Sequence, residues 1–477
     1  MGDDFQAKSE AFMAWLANST ATVNNKIALR DLRELDAGRG VIAVADIAED
    51  ELLFSIPRSS ILSVENSALV NKLPAIFEDL DPWFSLILVM IYEYIQGNKS
   101  SWKSYFDILP TEFDTLMFWT EDELAELQAS AVRGKVGKEE ADKSLSETVI
   151  PIIRSHEDVF FPIDSQAKQL LSDLDLLALA HRMGSTIMAY AFDIEPAQTS
   201  KMTDEEGYAS DEEDEALPKG MVPLADMLNA DADRNNARLF YERDILIMKA
   251  LKPIKSGGEI FNDYGPLPRS DLLRRYGYIT DNYARYDVVE LPFEVVRKVV
   301  ESVAQIKPSI VDDRLEYLDE QGVIDSGYDI SIQDYQQDII EHMSPELVIL
   351  IEAILLPQAE FDRLKSKGKL PKADKLTVQG AKVLLRLIRA RIAQYATTYE
   401  EDAGDISNSM DCRGPVFRSE KRKRMAKQVR TGEKWILKEA DRALSVVIEE
   451  TAKTNEGFAK RNENSPQTGP NKKRRVA

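Results

Sequence analysis

Four short segments of the 477-residue chain combine residue types that could take part in chemistry. They are Ala37-Gly38-Arg39-Gly40, Asp226-Met227-Leu228-Asn229, the segment EIFNDYG at 259–265, and Tyr276 in RRYGYI. Glycines around one residue allow close approach of the backbone to a ligand, and Asn or Tyr after a strand-like run places a polar group at a turn. Taken singly, each segment is more typical of an ordinary turn or of core packing.

The chain has one Cys and three His residues, which excludes several kinds of site. A single cysteine rules out an intramolecular disulfide and a thiolate zinc cluster, and so few histidines rule out most His-dependent metal sites. The AGRG segment lacks the third glycine and the following helix of a dinucleotide-binding fingerprint. We expect no metal, and chemistry that depends on carboxylates, Tyr, Lys, backbone groups or a borrowed cofactor.

The charge of the chain is strongly acidic, with 60 Lys+Arg, 82 Asp+Glu and a formal net charge of −22. Residues 413–477 carry +10, so residues 1–412 carry −32. Such a field repels nucleic acid and anionic membranes and favours cationic partners. Because the sequence also lacks a run of 18 apolar residues and a secretory signal, we expect an intracellular protein that binds neither membranes nor nucleic acid directly.

Strand and helix signals alternate along the chain. Val41 to Pro57 predicts two short strands around an acidic turn, MVPLADML predicts a further strand, and ARLFYE with ILIMKAL predicts a hairpin that turns at Arg243-Asp244. The stretch between these β-rich pieces has helical periodicity, as do 345–356, 375–399 and 420–452.

Because an isolated hairpin is marginal in water, the two β-rich pieces favour one discontinuous domain. The predicted fold class is therefore α+β: a discontinuous β-rich domain with a helical insertion, followed by an all-helical C-terminal domain. The predicted divisions are an N-terminal helix at 1–24, the β-rich domain at 25–280 with its insertion at about 64–220, an acidic loop at 203–216, the helical domain at 281–454 and a disordered basic tail at 455–477.

The order GRG, strand pair, helical insertion, DMLN, hairpin, EIFNDYG and RRYGY resembles a SET-domain protein methyltransferase of the split type. The C-terminal domain is then similar to the substrate-binding domain of the Rubisco large-subunit enzyme. Within that group the chain looks closest to SET domain-containing protein 6 and the fungal ribosomal lysine N-methyltransferase 4 family. MFWTEDELAEL, IMAYAFDIE and YATTYEED add to a resemblance that spans about residues 25 to 450.

The resemblance implies S-adenosylmethionine (SAM) as cofactor and a role for each matching residue. Tyr264 is implied as the catalytic tyrosine. The residues implied in cofactor binding are Ala37, Gly38, Arg39, Tyr190, Asn229, Ala230 and Tyr276. Trp83, Asp226 and Leu239 are implied on the substrate side. One position departs from the family, because the common Asn-His motif is here Asn229-Ala230, which weakens cofactor affinity if the histidine ring contributes to it.

The chemistry of lysine methylation agrees with these residue types. A lysine ammonium has no lone pair and must lose a proton before it can attack a methyl sulfonium. Burial in a channel lined by Tyr and Trp disfavours the charged form. Three hypotheses remain at this stage: a SAM-dependent protein-lysine N-methyltransferase, a protein-histidine methyltransferase of the same architecture, and a non-catalytic adaptor with this fold.

The expected partner is a basic protein, because the acidic body attracts cationic substrates. A ribosomal protein is favoured, and a histone or another nuclear protein is an alternative. The cluster Lys472-Lys473-Arg474-Arg475 resembles a nuclear import signal, so we expect the nucleus, with the cytoplasm as a second location. We also expect a monomer.

Overall fold

The structure is a computed structural model that describes residues 4–35, 37–161, 171–195, 217–303, 307–332, 339–409 and 417–463. The strands are β1 Thr22–Val23, β2 Ile27–Asp31, β3 Arg39–Ala43, β4 Leu52–Pro57, β5 Ala191–Asp193, β6 Lys219–Met221, β7 Ala237–Tyr241, β8 Ile245–Ala250, β9 Glu259–Ile260, β10 Val288–Pro292 and β11 Gly327–Ser331. The helices are α1 Phe5–Asn18, α2 Ala68–Lys72, α3 Pro82–Gln96, α4 Lys103–Phe106, α5 Glu121–Ala125, α6 Lys138–Ser144, α7 Ile150–Ser155, α8 Glu157–Phe160, α9 Asp173–Tyr190, α10 Arg269–Tyr276, α11 Phe293–Val303, α12 Pro308–Glu320, α13 Pro345–Leu355, α14 Gln358–Lys365, α15 Val378–Ile392, α16 Tyr399–Ser409 and α17 Arg418–Glu463.

The chain divides into two compact units. The first contains residues 1–120 and 134–284, and the second contains residues 121–133 and 285–477. The mixture of strands and helices confirms the predicted α+β class.

Antiparallel sheets join the two β-rich pieces of the first unit. One sheet has the order β1-β4-β8-β7, and a second has the order β2-β3-β9. In the second sheet Ile42 lies opposite Glu259, so a strand before the insertion pairs with one after it. The discontinuous β domain is therefore confirmed. The two strands predicted at 41–57 also form, but β3 and β4 belong to different sheets instead of pairing with each other.

The predicted hairpin is present, whereas the strand predicted over MVPLADML is wrong in most of its length. β7 pairs with β8 in the register Tyr241↔Leu246, which puts the turn at the predicted place. Strand β6 ends at Met221, and Ala225–Met227 forms a 3₁₀ turn. Leu224, buried and with φ 74°, reverses the chain between them. A proline at 223, which has no N–H to give to a ladder, also stops the strand.

The helical insertion forms as predicted, with α3 and α9 packed together. Asp81 caps α3 by accepting from the Trp83 N–H at 2.8 Å, and a capping box between Ser172 and Asp175 begins α9. Residues Leu86 to Ile91 of α3 are all buried because the helix is apolar nearly all round. These two helices contribute buried residues to the same hydrophobic core as the sheets.

The second unit is helical, with one pair of strands that the predicted all-helical domain lacks. β10 and β11 pair antiparallel over five residues each. Buried residues alternate along both strands, but β10 reads VVELP, in which apolar residues do not alternate, and both strands are short. The amphipathic helices predicted at 345–356, 375–399 and 420–452 correspond to α13, α15 and α17.

Residues 121–133 belong to the second unit although the sequence analysis places them in the insertion. Buried polar contacts hold them there. Arg422 pairs with Glu123 at 2.8 Å, and the Ser130 hydroxyl donates to Glu433 at 2.6 Å. Arg422 is therefore buried, although it lies in a run of four basic residues, Lys421 to Arg424.

The last helix, α17, is longer than predicted. It runs to Glu463, so residues 455–463, predicted as part of a disordered tail, are helical. The reason lies in the sequence, since proline, the residue that stops a helix, does not occur after α17 begins until Pro466. Residues 464–477, the acidic loop at 203–216 and Cys412 lie outside the described residues. Within the described ranges, no helix is long and apolar enough to cross a membrane.

Candidate active site

Asn229 joins the two segments that the sequence analysis assigns to cofactor binding. It follows the 3₁₀ turn at Ala225–Met227, and its amide Nδ2 donates to the Ala37 carbonyl oxygen at 3.3 Å. The same nitrogen donates to Oε1 of Glu259 at 2.7 Å. This hydrogen bond thus brings together two residues that are 192 positions apart in the sequence.

Gly38 and Arg39 form the turn into β3. Gly38 has φ 63°, a conformation that favours glycine, and its carbonyl accepts from the Leu32 N–H at 2.8 Å. The Arg39 guanidinium lies 4.0 Å from the centre of the Phe5 ring and donates to the Ile108 carbonyl at 3.3 Å. Because the Arg39 side chain is held by α1 and its neighbours, its main chain is the part that the site can use.

Ala230 stands where the family pattern has histidine, and its backbone is engaged. It forms an isolated parallel bridge with Asn262, in which the Asn262 N–H donates to the Asn229 carbonyl at 2.8 Å. The Asp231 N–H in turn donates to the Asn262 carbonyl at 3.2 Å. This bridge fixes the Asn229 segment beside the chain that leads from β9 to Tyr264.

Tyr264 lies four residues beyond the end of β9 and stacks on Tyr276. Their ring centres are 4.2 Å apart and the ring planes differ by 10°. Together with Tyr190, Tyr278 and Tyr283 they make up a group that we call the tyrosine cluster. Burial raises the pKa of the Tyr264 hydroxyl well above its usual value, and the four neighbouring tyrosines raise this pKa further. The Tyr264 hydroxyl therefore stays protonated at neutral pH.

Tyr278 has a buried hydroxyl with no hydrogen-bond partner among the described residues. Burial, Tyr283 and Tyr276 all raise its pKa well above the usual value. A buried polar atom without a partner is uncommon in native proteins, and it is expected where a ligand or a water completes the site. The cluster thus contains a polar group that is available to a bound molecule.

Asp226 is a buried carboxyl near this cluster. It is 6% exposed, and its Oδ2 accepts a short hydrogen bond from the Tyr105 hydroxyl. Its Oδ1 has no partner within the described part of the chain. Burial raises the pKa of Asp226 to about 8, against the lowering effect of the Tyr105 hydrogen bond. The charge on Asp226 also contributes, after burial, to a Tyr190 pKa of about 12, so the two side chains are close.

Trp83 and Leu239, implied on the substrate side, lie on α3 and β7. Trp83 begins α3, and a Cβ atom at Gly184 of α9 would lie 3.6 Å from its Cζ2 atom. Tyr190 is at the end of the same helix α9. Leu239 lies on β7 opposite Met248 and packs, partly buried, against the hydrophobic core.

The sequence analysis missed three residues of this site. Glu259 begins the EIFNDYG segment and accepts a hydrogen bond from Asn229, and Tyr278 lies two residues after Tyr276. Both lie in segments that the sequence singles out, but no local pattern indicates their roles. Tyr105, on α4, bonds to a residue 121 positions away, and nothing in its neighbourhood predicts that. Among the described residues, no group of three or more His, Cys, Asp or Glu side chains could hold a metal ion.

Comparisons with known proteins agree with this arrangement. Residues 38–265 match the SET domain, and residues 308–437 match the Rubisco LSMT substrate-binding domain. The chain is 32% identical over 367 residues to ribosomal lysine N-methyltransferase 4 of Saccharomyces cerevisiae, which covers 74% of this chain and 72% of that protein. It is 27% identical over 428 residues to N-lysine methyltransferase SETD6 of Homo sapiens, with 84% and 83% covered.

A solved structure of Rubisco LSMT bound to sinefungin and monomethyllysine has the same fold. Its TM-score with this chain is 0.65 at 21% identity, and the match covers 93% of this chain and 92% of that one. The chain therefore belongs to the family of SET-domain protein lysine methyltransferases with a Rubisco LSMT-type substrate-binding domain, which take their methyl group from SAM.

Proposed function

We propose that this chain methylates a lysine of a basic protein, with a ribosomal protein as the favoured class. The name of the relative in Saccharomyces cerevisiae supports a ribosomal substrate. The charge of −32 over residues 1–412 supports a cationic one, since opposite charge steers diffusional encounter. Histones and other nuclear proteins are also basic and remain alternatives.

The observation that carries the proposal is the placement of Tyr264 in the tyrosine cluster, two residues after the Ala230–Asn262 bridge. SAM, when bound, supplies an electrophilic methyl group. The residues present fit such a cofactor in two respects. Among the described residues, no atom beyond the chain neighbours of Gly38 lies within 4 Å of a Cβ position there, so its outer face is open. The buried Tyr278 hydroxyl also has no hydrogen-bond partner in that part of the chain. The residues proposed to hold SAM are Ala37, Gly38, Arg39, Tyr190, Asn229, Ala230 and Tyr276.

Tyr264 acts in this proposal by orienting the lysine nitrogen and not by taking its proton. Because burial and the neighbouring tyrosines keep its pKa well above the usual value, its hydroxyl is a neutral donor and acceptor at physiological pH. A lysine nitrogen inserted among tyrosine rings loses hydration, which lowers its own pKa and favours loss of the proton to solvent. Positioning of the neutral amine then supplies much of the rate.

Asp226 would attract the lysine while it is still an ammonium. With a pKa of about 8, this carboxyl is ionised in only a minority of molecules near neutral pH, and in those its charge is little screened because it is buried. Its Oδ1, which has no partner among the described residues, is the oxygen that could receive the ammonium. Trp83 and Leu239 are proposed to line the same side.

We also propose that the protein acts in the nucleus, with the cytoplasm as a second location. The support is the basic cluster Lys472 to Arg475 in the tail, which resembles a nuclear import signal. Imaging of the full chain and of a variant with these four residues replaced by Ala tests this. Equal nuclear levels of both proteins would contradict it.

Transfer of label from methyl-labelled SAM to fractionated basic proteins tests the function. We expect a labelled band with the wild type, lysine as the modified residue by mass spectrometry, and strong loss of label with Tyr264→Phe. Label on histidine, or binding of SAM without transfer to any protein, would contradict the proposal.

A further inference from the structure

The structure assigns a positioning role to Glu259: we propose that its carboxylate fixes the amide of Asn229 so that Oδ1 of Asn229 faces the α-ammonium group of SAM. The inference rests on the proposed function and adds a residue to which the resemblance gave no role. It also explains the second glycine of the GRG segment, Gly40, which the implied cofactor contacts leave unexplained.

The orientation of the Asn229 amide follows from its two hydrogen bonds. The Nδ2 atom donates to Glu259 Oε1 at 2.7 Å and to the Ala37 carbonyl at 3.3 Å, so both amide hydrogens are directed at oxygens. A rotated amide would instead set its carbonyl oxygen against the acceptor oxygens of Glu259 and Ala37, which is repulsive. Asn229 can therefore offer a ligand only an acceptor, its Oδ1.

Gly40 provides the space for this pair. A Cβ atom at position 40 would lie 2.5 Å from Leu32 Cδ1, 2.9 Å from Glu259 Oε1 and 3.0 Å from Asn229 Nδ2, so these side chains would have to move. Gly40 does not have a positive φ, so close approach, and not backbone conformation, is what requires a glycine here. The GRG segment thus contains one glycine for its turn and one that leaves room for Leu32 and for the Asn229–Glu259 contact.

The backbone of Glu259 is itself held on both sides. In β9 it lies opposite Ile42 of β3, and its carbonyl accepts from Asn236 Nδ2 at 2.9 Å. Asn236 also accepts from the Phe261 N–H at 2.8 Å through Oδ1. The carboxylate is half-buried, and burial raises its pKa while the Asn229 hydrogen bond lowers it. A fixed and partly desolvated acceptor orients its donor more strongly than an exposed one.

An acceptor at this place selects a hydrogen-bond donor in the ligand. The amino-acid end of SAM has a charged donor, the α-ammonium, and a hydrogen bond to a charged group is the stronger kind. S-adenosylhomocysteine has the same ammonium, whereas 5′-methylthioadenosine lacks the whole amino-acid end. The two compounds therefore test which part of the cofactor depends on Asn229.

Calorimetric titration of the full chain with S-adenosylhomocysteine is the test. We expect Glu259→Leu, which removes the acceptor, to weaken binding by about tenfold, since hydrogen bonds to charged groups contribute about 1.5–3 kcal/mol. Glu259→Gln keeps an acceptor and should stay within about threefold of wild type. Binding of 5′-methylthioadenosine should change little in either variant. In an Asn229→Ala background, Glu259→Leu should add almost nothing, because Glu259 acts through Asn229.

A matched control is available in the same unit. Asn24 Nδ2 donates to Glu51 Oε1 at 3.0 Å, so Glu51→Leu removes a similar Asn–Glu bond elsewhere and should leave the affinity for S-adenosylhomocysteine unchanged. Two results would overturn the role of Glu259 but leave the proposed function standing. One is wild-type affinity in Glu259→Leu, and the other is a full further loss of affinity when Glu259→Leu is added to Asn229→Ala. If the wild type fails to bind S-adenosylhomocysteine, both the proposed function and the role of Glu259 are contradicted.

Discussion

The free energy of unfolding of the Asp226→Asn variant should rise relative to that of the wild type as the pH increases. Asp226 is 6% exposed and has one carboxylate oxygen without a partner among the described residues, so its charged form is disfavoured in the folded state. Its pKa of about 8 compares with about 3.9 for an unfolded chain. Between these values the folded protein holds a proton that the unfolded chain has released.

The size of the effect follows from proton linkage. A difference of one bound proton changes the free energy of unfolding by about 1.4 kcal/mol per pH unit. Because the folded pKa is the higher one, stability is lost as the pH rises. From pH 5 to pH 7 the wild type should therefore lose about 3 kcal/mol relative to Asp226→Asn, which does not titrate. Groups common to both proteins cancel in the difference.

Urea unfolding at pH 5, 6 and 7, followed by tryptophan fluorescence, measures this difference. Four of the five tryptophans (Trp15, Trp83, Trp102 and Trp119) belong to the first unit, so the signal reports mainly the unit that contains Asp226. The two proteins should be of similar stability only below about pH 4, where Asp226 is neutral in both states and a neutral carboxyl and an amide have nearly the same shape. At pH 5 the wild type should already be less stable than Asp226→Asn by about 1.5 kcal/mol.

An exposed carboxylate provides the control. Hydrogen bonds from Lys255 and from the Ser256 backbone hold the pKa of Asp46 below its usual value, so it is ionised in both states over this range. Asp46→Asn should therefore give a profile parallel to that of the wild type. If Asp226→Asn is also parallel to the wild type from pH 5 to 7, the buried carboxyl has an ordinary pKa and the reasoning about Asp226 is refuted.

Two further predictions concern the glycines and the second unit. Gly40→Ala should lower the free energy of unfolding by about 1–3 kcal/mol, because its Cβ would lie 2.5 Å from Leu32 Cδ1 and 2.9 Å from Glu259 Oε1. Gly38→Ala should cost only about 1 kcal/mol for its φ of 63°. Urea unfolding compares them, and equal losses would count against the account of Gly40. Asp402→Asn should cost about 3–5 kcal/mol, because it removes the carboxylate that accepts from the buried Arg430 at 2.8 and 2.9 Å. A cost below about 1 kcal/mol in the same assay would mean that this buried ion pair is replaceable.

Much of the fold could be predicted because its signals are local. The hairpin of β7 and β8 follows from two alternating runs around Arg243-Asp244, and α3 follows from apolar residues at helical spacing after an Asp-Pro cap. Segments without such a signal were mispredicted. The run MVPLADML has the composition of a strand, but Leu224 turns the chain at a positive φ that no pattern reveals.

The site itself depends on pairs that are far apart in sequence. Ala37 and Asn229 were proposed together because the resemblance to a family supplied their order, not because spacing brings them together. Glu259 and Tyr105 have no such support, since each role consists of one hydrogen bond to a distant residue. The same holds for residues 121–133, whose buried contacts with α17 are formed only in the folded second unit.

The central claim is that Tyr264 carries methyl transfer from SAM to a lysine of a basic protein. Single-turnover transfer of labelled methyl groups to the best substrate fraction, with Tyr264→Phe beside wild type, tests it most directly. Removing one positioned transition-state hydrogen bond should slow transfer by about 10²–10³-fold. Binding of S-adenosylhomocysteine should stay near the wild-type value. An unchanged transfer rate in Tyr264→Phe would contradict the claim.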